Sequence, residues 1–143
     1  MKVKIKKLHK NAIIPIYITN GSAGFDFYSV EESTFLKPGE RLLFKTGVSI
    51  ELENGYELQI RPRSGLALNF GITVLNSPGT IDSDYRGEIG VILYNTSKSP
   101  VNINKGTRIA QGVICPVIKA EFEEVEELSE TERGEGGFGS SGK

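Results

Sequence analysis

Two aspartates, Asp82 and Asp84, stand two positions apart in this chain. In an extended strand, residues at that spacing point to the same face, so the pattern predicts two neighbouring carboxylates. One carboxylate of such a pair could act as a general base that activates water. The structural alternative is an aspartate-rich turn in which Asp82 caps backbone N–H groups.

The chain has one histidine, His9, and one cysteine, Cys115. These counts exclude a zinc site of the Cys/His type, which needs three or more such ligands. His9 lies in a basic stretch near the N-terminus, where a solvated surface side chain is a better interpretation than a catalytic base. A single cysteine forms no internal disulfide, as expected in a reducing compartment.

The segment around Ser64 could bind an anion. Ser64 precedes helix-forming residues and is predicted to be the N-cap of a short helix over residues 64–70. The Ser64 hydroxyl and the Gly65 N–H would then lie at a helix N-terminus beside Arg63 and could bind phosphate. From the Ser-Gly pair alone, a simple helix cap is the favoured interpretation.

A glycine-rich stretch with one arginine and one aromatic residue ends the chain. Its composition predicts a mobile arm over residues 129–143, after a folded core over residues 1–128. A disordered tail without function is the simpler interpretation of composition alone. Glycine N–H groups can nevertheless curl around an anion, while Arg133 pairs with phosphate and Phe138 stacks on a base.

Composition predicts one soluble domain. The chain has 143 residues, of which 38% are hydrophobic and 24% charged, enough to close one core. The net charge of −1 provides no general attraction to DNA or RNA. Neither a signal peptide nor an apolar run long enough to span a membrane is visible, so a cytoplasmic protein is expected.

The elements that must position these residues are mostly short strands. Glycine and proline turns separate alternating or β-branched runs, which predicts an all-β fold, a β-sandwich or a jelly-roll barrel, with the helix at a corner. The spacing of Phe122, Val125 and Leu128 fits either a helix or an irregular edge strand. The predicted strands cover residues 3–5, 13–18, 47–52, 56–60, 72–75, 89–94 and 109–118.

Five segments, taken in order, resemble the five motifs of the trimeric dUTPase family. One short motif alone would be weak evidence of a resemblance, but here the order and spacing of all five segments match those of the family across nearly the whole chain. The segments are AGFDF (residues 23–27), PRSGLA (62–67), the run 76–87 ending in GTIDSDYRG, GTRIAQ (106–111) and the glycine-rich tail.

The resemblance implies a jelly-roll or distorted β-barrel fold with one short helix and a flexible C-terminal arm. It implies a homotrimer whose active sites are shared between subunits, with the arm closing a neighbouring site. The implied reaction is Mg²⁺-dependent hydrolysis of dUTP to dUMP and pyrophosphate, which keeps uracil out of DNA and supplies dUMP for thymidylate synthesis. Neither nucleic acid nor membrane is an implied partner.

The resemblance also assigns catalytic roles. Asp82 matches the general base that polarises the water attacking the α-phosphorus. Gln111 matches the residue that contacts the phosphates and orders this water, and its plain alternative is a solvated strand amide. Ser64 binds the phosphate chain with Arg63 and Gly65. This sequence has no Walker pattern, so these positions must supply the positioning and charge stabilisation that the reaction needs.

The resemblance assigns the metal to Asp26, which would hold Mg²⁺ through water while triphosphate oxygens are the direct ligands. Magnesium keeps several of its waters, so one distant carboxylate is sufficient. The tail would place Arg133 on the terminal phosphate and Phe138 over the uracil, with Gly139 adjoining, and so exclude bulk water.

Base and sugar selection falls to the third motif, implied to be a hairpin over residues 76–90. Its backbone groups would pair with the edge of uracil and reject thymine and cytosine. Tyr85 would lie beneath the deoxyribose and exclude a 2′-hydroxyl, although an ordinary core tyrosine is an equal interpretation without the resemblance. The implied contacts of this motif are Asn76, Gly79, Thr80, Ile81, Asp82, Tyr85 and Gly90.

Two departures from the family pattern are mild. Phe27 stands where leucine is usual, which should alter packing alone. Glu135 would repel a triphosphate unless it points away from Arg133. Two other functions stay open: a dCTP deaminase of the same fold, disfavoured by the third motif, and a non-catalytic dUTP-binding regulator, disfavoured by Asp82, Ser64 and the tail.

Overall fold

The computed structural model describes residues 1–139, and the last four residues of the predicted arm lie outside this range. Residues 1–139 form eleven strands and one helix. They are β1 (Lys4–Lys7), β2 (Phe25–Tyr28), β3 (Thr34–Leu36), β4 (Arg41–Lys45), β5 (Val48–Glu51), β6 (Tyr56–Arg61), α1 (Ser64–Phe70), β7 (Ile72–Val74), β8 (Gly79–Ile81), β9 (Gly90–Asn95), β10 (Val101–Ile103) and β11 (Arg108–Pro116).

The strands form antiparallel sheets that join distant parts of the chain. The largest sheet has the order β2-β11-β6-β8, and a second has the order β4-β9-β7. Two pairs, β1-β5 and β10-β3, complete the set within residues 1–139, where no closed ring of strands is formed. The prediction of an all-β fold with one short helix is confirmed.

Alternation of side chains along the strands produces the core. On β6, Leu58 and Ile60 are buried while the residues between and beside them face outward. On β9, Val91 and Leu93 do the same. Apolar side chains from both sheets therefore meet in one cluster, and burying each one contributes roughly 1.5–3 kcal/mol relative to exposure.

Phe27, the departure from the usual leucine, is accommodated by a glycine on the neighbouring strand. The Phe27 ring is almost fully buried and packs edge-to-face on Phe25, with ring centroids 5.5 Å apart. A Cβ at Gly112 would lie 2.7 Å from the Phe27 ring and 2.8 Å from that of Phe25. The missing side chain on β11 thus makes room for two aromatic rings.

One predicted strand, residues 13–18, is wrong, and the segment left open between a helix and an edge strand forms neither. Residues 13–18 contain β-branched side chains but form no strand, and several of them are exposed. Residues 119–128 form neither the helix nor the edge strand considered for Phe122, Val125 and Leu128. Propensity was insufficient in both segments because neither pairs with another strand within residues 1–139.

No helix within residues 1–139 is long and apolar enough to cross a bilayer, since α1 spans seven residues.

Candidate active site

A carboxylate held between two arginines forms one part of the candidate site. Asp26 lies on β2 and accepts a hydrogen bond from Arg63 Nε on Oδ1 at 3.0 Å. Its Oδ2 accepts from Arg108 Nη1 at 3.2 Å. Arg63 Nη1 also donates to the Arg108 carbonyl at 3.1 Å, which ties the two arginine segments together. Two positive charges are therefore concentrated beside one half-buried carboxylate.

Gln111 lies next to this cluster because of strand register. On β11 it stands opposite Asp26 of β2 and Arg61 of β6. Its Nε2 donates to the Pro62 carbonyl at 2.9 Å, directly before Arg63. A Cβ at Gly24 would lie 2.9 Å from Gln111 Oε1, so the glycine of the first motif leaves space for this side chain.

The helix begins one residue earlier than the predicted capping arrangement, in which Ser64 was the N-cap. Arg63 is the N-cap, with extended backbone angles and no side-chain cap hydrogen bond, and Ser64 is the first helical residue. The prediction that Ser64 is the N-cap is therefore wrong. The first helical bond runs from Ala67 N to Arg63 O, so the N–H groups of Ser64 and Gly65 precede the bonded turns.

The donor set around Asp26 fits a metal held mostly by other ligands. Within residues 1–139 no cluster of three histidine, cysteine or carboxylate side chains could hold an ion by itself. An ionised carboxylate has about four acceptor positions, and the two arginines occupy two of those on Asp26. The others can accept bonds from metal-bound water.

The aspartate pair lines an open cleft of about 700 Å³, but not from a strand. β8 ends at Ile81, and a turn follows in which Tyr85 N donates to the Asp82 carbonyl at 3.1 Å. The expectation of both carboxylates on one strand face is therefore wrong, although Asp82 and Asp84 both reach the cleft. Among residues 1–139, no donor is hydrogen-bonded to the Asp82 carboxylate, so the capping alternative finds no support.

The third motif is not a hairpin of two paired strands. β8 pairs with β6, whereas β9 pairs with β4 and β7, so residues 82–89 cross from one sheet to the other. Because β8 is the outer strand of its sheet, one edge of Gly79–Ile81 faces away from β6. Asn76 lies beside Gly79. Gly90 is the first residue of β9 and lies next to the Leu43 side chain. Thr80 is exposed and lines the same cleft as Asp82.

Tyr85 is not a core residue. Its side chain is 44% exposed, and its hydroxyl donates to the Glu88 carbonyl at 3.0 Å. The interpretation as an ordinary core tyrosine is wrong. The Tyr85 side chain is therefore partly accessible to solvent.

The described part of the tail makes local hydrogen bonds. Gly134 N donates to the Thr131 carbonyl at 3.0 Å, and Gly136 N donates to that of Arg133 at 3.1 Å. Arg133 Nε donates to the Gly136 carbonyl at 2.9 Å. Phe138 is fully exposed, with Gly139 after it at φ 92°.

The residues near Asp82 and those near Asp26 form two separate groups. Gln111 stands opposite Arg61, while Ile81 stands opposite Leu58, three residues away along β6. Two strand spacings and three residues separate Gln111 from Ile81 by about 14 Å. The strand framework of one chain therefore keeps Gln111 well apart from the turn that carries Asp82.

Three cations near these groups carry no local signal in the sequence. Arg108 belongs to the segment GTRIAQ (residues 106–111), and its contact with Asp26 spans 82 positions of the chain. Arg86 and Lys119 line the cleft with Asp82. The pKa of Glu51 lies below its usual range because Lys4 hydrogen-bonds to it and adds its charge, with a smaller effect from Arg86. Only long-range geometry reveals these groupings.

Comparison with known sequences identifies relatives along the whole chain. The dUTPase family profile matches residues 10–142. The deoxyuridine 5′-triphosphate nucleotidohydrolase of Nautilia profundicola is 64% identical over 143 residues, covering 100% of both chains. That of a Hydrogenobaculum species is 58% identical over 142 residues, covering 99% of both chains.

Solved structures also resemble this fold. A Staphylococcus bacteriophage 80alpha dUTPase with dUpNHpp superposes with a TM-score of 0.89 at 31% identity, covering 99% of both chains. A dUTPase from phage phi11 of S. aureus, described with a structural Mg(II) ion, superposes at 0.83 with 26% identity, covering 91% of this chain and 100% of the other. The profile match, the full-length relatives and the shared fold show that this chain belongs to the dUTPase family.

Proposed function

We propose that this protein hydrolyses dUTP to dUMP and pyrophosphate by attack of water at the α-phosphorus. The observation that carries the proposal is the Asp82 carboxylate, which follows the outer strand β8 and has no hydrogen-bonded donor within residues 1–139, in a chain of the dUTPase family. The relatives named above carry that activity in their names, and the phage 80alpha enzyme was solved with dUpNHpp. The reaction is placed in the cytoplasm as part of this proposal, and the single free thiol of Cys115 suits such a reducing compartment.

Asp82 is the general base in this mechanism. Its carboxylate accepts a proton from the water as the water's oxygen approaches the α-phosphorus. Gln111 orders the same water and contacts the phosphates. The pyrophosphate leaves as the bond between the α-phosphorus and the bridging oxygen breaks. Proton removal and alignment of the water are the two contributions that the protein makes to the nucleophile.

The phosphate chain lies at the start of α1. Ser64 and the Gly65 N–H donate to phosphate oxygens, since neither is used within the first helical turn. Arg63 adds positive charge, and Asp26 fixes the orientation of its guanidinium. A Mg²⁺ ion carried by the triphosphate supplies further positive charge when bound, and Asp26 would hold it through water.

Base selection is assigned to the free edge of β8 and its flanking residues. Backbone N–H and C=O groups of Gly79–Ile81 can pair with uracil as a further strand would, with Asn76 and Gly90 beside them. Thymine adds a methyl group and cytosine replaces an acceptor by a donor, so each meets a clash or an unpaired group. Arg133, Phe138 and Gly139 close the site from the tail.

Replacing Tyr85 with alanine should narrow the preference for dUTP over UTP. The exposed ring lies beneath the deoxyribose and leaves no room for a 2′-hydroxyl. We expect the ratio of kcat/KM for the two nucleotides to fall by about tenfold or more. An unchanged ratio would place the sugar filter elsewhere in the protein.

We further propose a homotrimer with shared active sites. Asp82 and Gln111 act on one water in this mechanism, but their segments lie about 14 Å apart within a chain. If two copies of the chain each contribute one of these groups to the same site, the two groups can act on one water despite this separation. Ile118, Phe122 and Leu128 are almost fully exposed, as at a surface that meets another chain. Residues 121–132 also carry seven glutamates, opposite in charge to the lysines of β1.

Mixing two inactive variants tests the shared site. One variant carries Asp82→Asn with its tail intact, and the other keeps Asp82 but ends before Arg133. They are unfolded together and refolded at equal concentration. If base and tail come from different chains, roughly a quarter of sites regain both under random cyclic assembly. Verified mixed trimers as inactive as their components would refute tail exchange.

The function itself is tested by product analysis with dUTP, dCTP, dTTP and UTP, each with and without Mg²⁺. We expect pyrophosphate from dUTP far in excess of the other three, and only with the metal. Ammonia released from dCTP would instead identify a deaminase. Binding of dUTP without any product would identify a regulator that keeps the fold.

A further inference from the structure

Tyr85 rests on a position that has no room for a side chain. A Cβ built on Gly87 would lie 2.2 Å from the Tyr85 hydroxyl oxygen, 2.4 Å from Cζ and 2.8 Å from Cε2. Carbon atoms in contact normally stay roughly 3.5 Å apart or more. The backbone angle φ of Gly87 is not in the left-handed region, so the backbone does not itself require glycine there. Glycine is required there because the Tyr85 ring fills the space that a side chain at position 87 would occupy.

Glu88 holds the same ring from its far end. Its carbonyl accepts a hydrogen bond from the Tyr85 hydroxyl at 3.0 Å. This bond joins Tyr85 to Glu88 across Gly87. Its carboxylate accepts a hydrogen bond from Gly47 N at 2.9 Å, in the connection between β4 and β5. Ile89, next in the chain, is fully buried and donates from its N–H to the Val48 carbonyl at 2.9 Å. The carbonyl that receives Tyr85 is thus anchored to the sheet.

We propose that Gly87 and Glu88 are positioning residues that fix the Tyr85 ring and thereby determine the preference for deoxyribose over ribose. The inference rests on the proposed role of Tyr85 as the sugar filter. An exposed tyrosine without support would sample several rotamers and open space for a 2′-hydroxyl. The small residue beneath the ring and the anchored carbonyl at its tip remove that freedom.

Gly87→Ala separates this role from a contribution to folding. The atoms it strikes are the outer end of an exposed side chain, so the ring moves aside and the core is untouched. The melting temperature should shift by no more than about 3 °C. The ratio of kcat/KM for dUTP over UTP should fall by about tenfold, as for Tyr85→Ala. Gly21→Ala is the matched control, because Gly21 has open space around it and no positive φ.

A double-mutant cycle shows whether Gly87 acts through Tyr85. In the Tyr85→Ala background, Gly87→Ala should change the ratio by less than about twofold, because the ring it displaces is already gone. If the two substitutions lower the dUTP-to-UTP ratio of kcat/KM independently, so that their effects multiply, the positioning role is overturned. A Gly87→Ala variant with the parent's ratio would overturn it as well. If Tyr85→Ala itself leaves the ratio unchanged, the sugar filter fails first and the inference falls with it, which distinguishes the two failures.

Discussion

Asp82→Asn is expected to lower kcat for dUTP by roughly two to four orders of magnitude while nucleotide affinity stays near that of the parent. Asparagine keeps the size and polarity of the side chain but cannot accept a proton from water. The Asp82 carboxylate lies in an open cleft without a bonded donor in residues 1–139, so its loss should leave the fold intact. Single-turnover rates and equilibrium binding of dUTP measure the two quantities separately.

Asp84→Asn is the matched comparison for this variant. Asp84 lines the same cleft two positions further on, and its substitution removes the same charge from the same turn. If the cleft acts only through its overall negative charge, both variants should lose similar activity. We expect Asp84→Asn to retain activity within about tenfold of the parent, because the base must touch the water. An Asp82→Asn enzyme with parental turnover would show that the assigned base is wrong.

Deleting the chain from Arg133 onward is expected to reduce activity on the order of 100-fold, because the site then stays open to bulk water and the nucleotide is less firmly aligned. The described hydrogen bonds of Arg133, Gly134 and Gly136 run within the tail itself. Folding and assembly should therefore survive the deletion.

The measurements for this variant are kcat/KM for dUTP, the melting temperature without nucleotide and the molar mass in solution. We expect the first to fall and the other two to stay close to the parent. Phe138→Ala is the narrower companion, since it removes one fully exposed ring and leaves the tail length unchanged. A truncated protein that aggregates or dissociates would show that the tail is structural.

Local sequence patterns determined several elements of this protein. The helix over residues 64–70 has the bounds predicted from its helix formers, and β6, β9 and β11 follow the alternating or β-branched runs. The strands bury their apolar face against the core, and α1 consists of neighbouring residues that favour a helical turn. A short stretch of sequence is therefore enough to predict each of these elements. The family resemblance, carried by five local motifs, was likewise readable from the sequence and is confirmed.

Local patterns did not predict the shortest strands, and they wrongly predicted a strand in an apolar run that has no pairing partner within residues 1–139. β3, β8 and β10 have three residues each, too few to show a period. Residues 13–18 had the composition of a strand but pair with no other segment in the described part of the chain. Strand formation depends on pairing with another segment, and pairing is not a property of the segment itself.

The composition of the candidate site was decided by tertiary structure. Strand register brings Arg108 to Asp26, 82 positions away, and separates Gln111 from the turn that carries Asp82. The same long-range pairing sends β8 and β9 to different sheets, where the sequence suggested one hairpin. Residue types and local spacing determined which groups could do chemistry. Which of them meet depends on contacts between distant segments, because register and sheet order are set by the packing of the whole core.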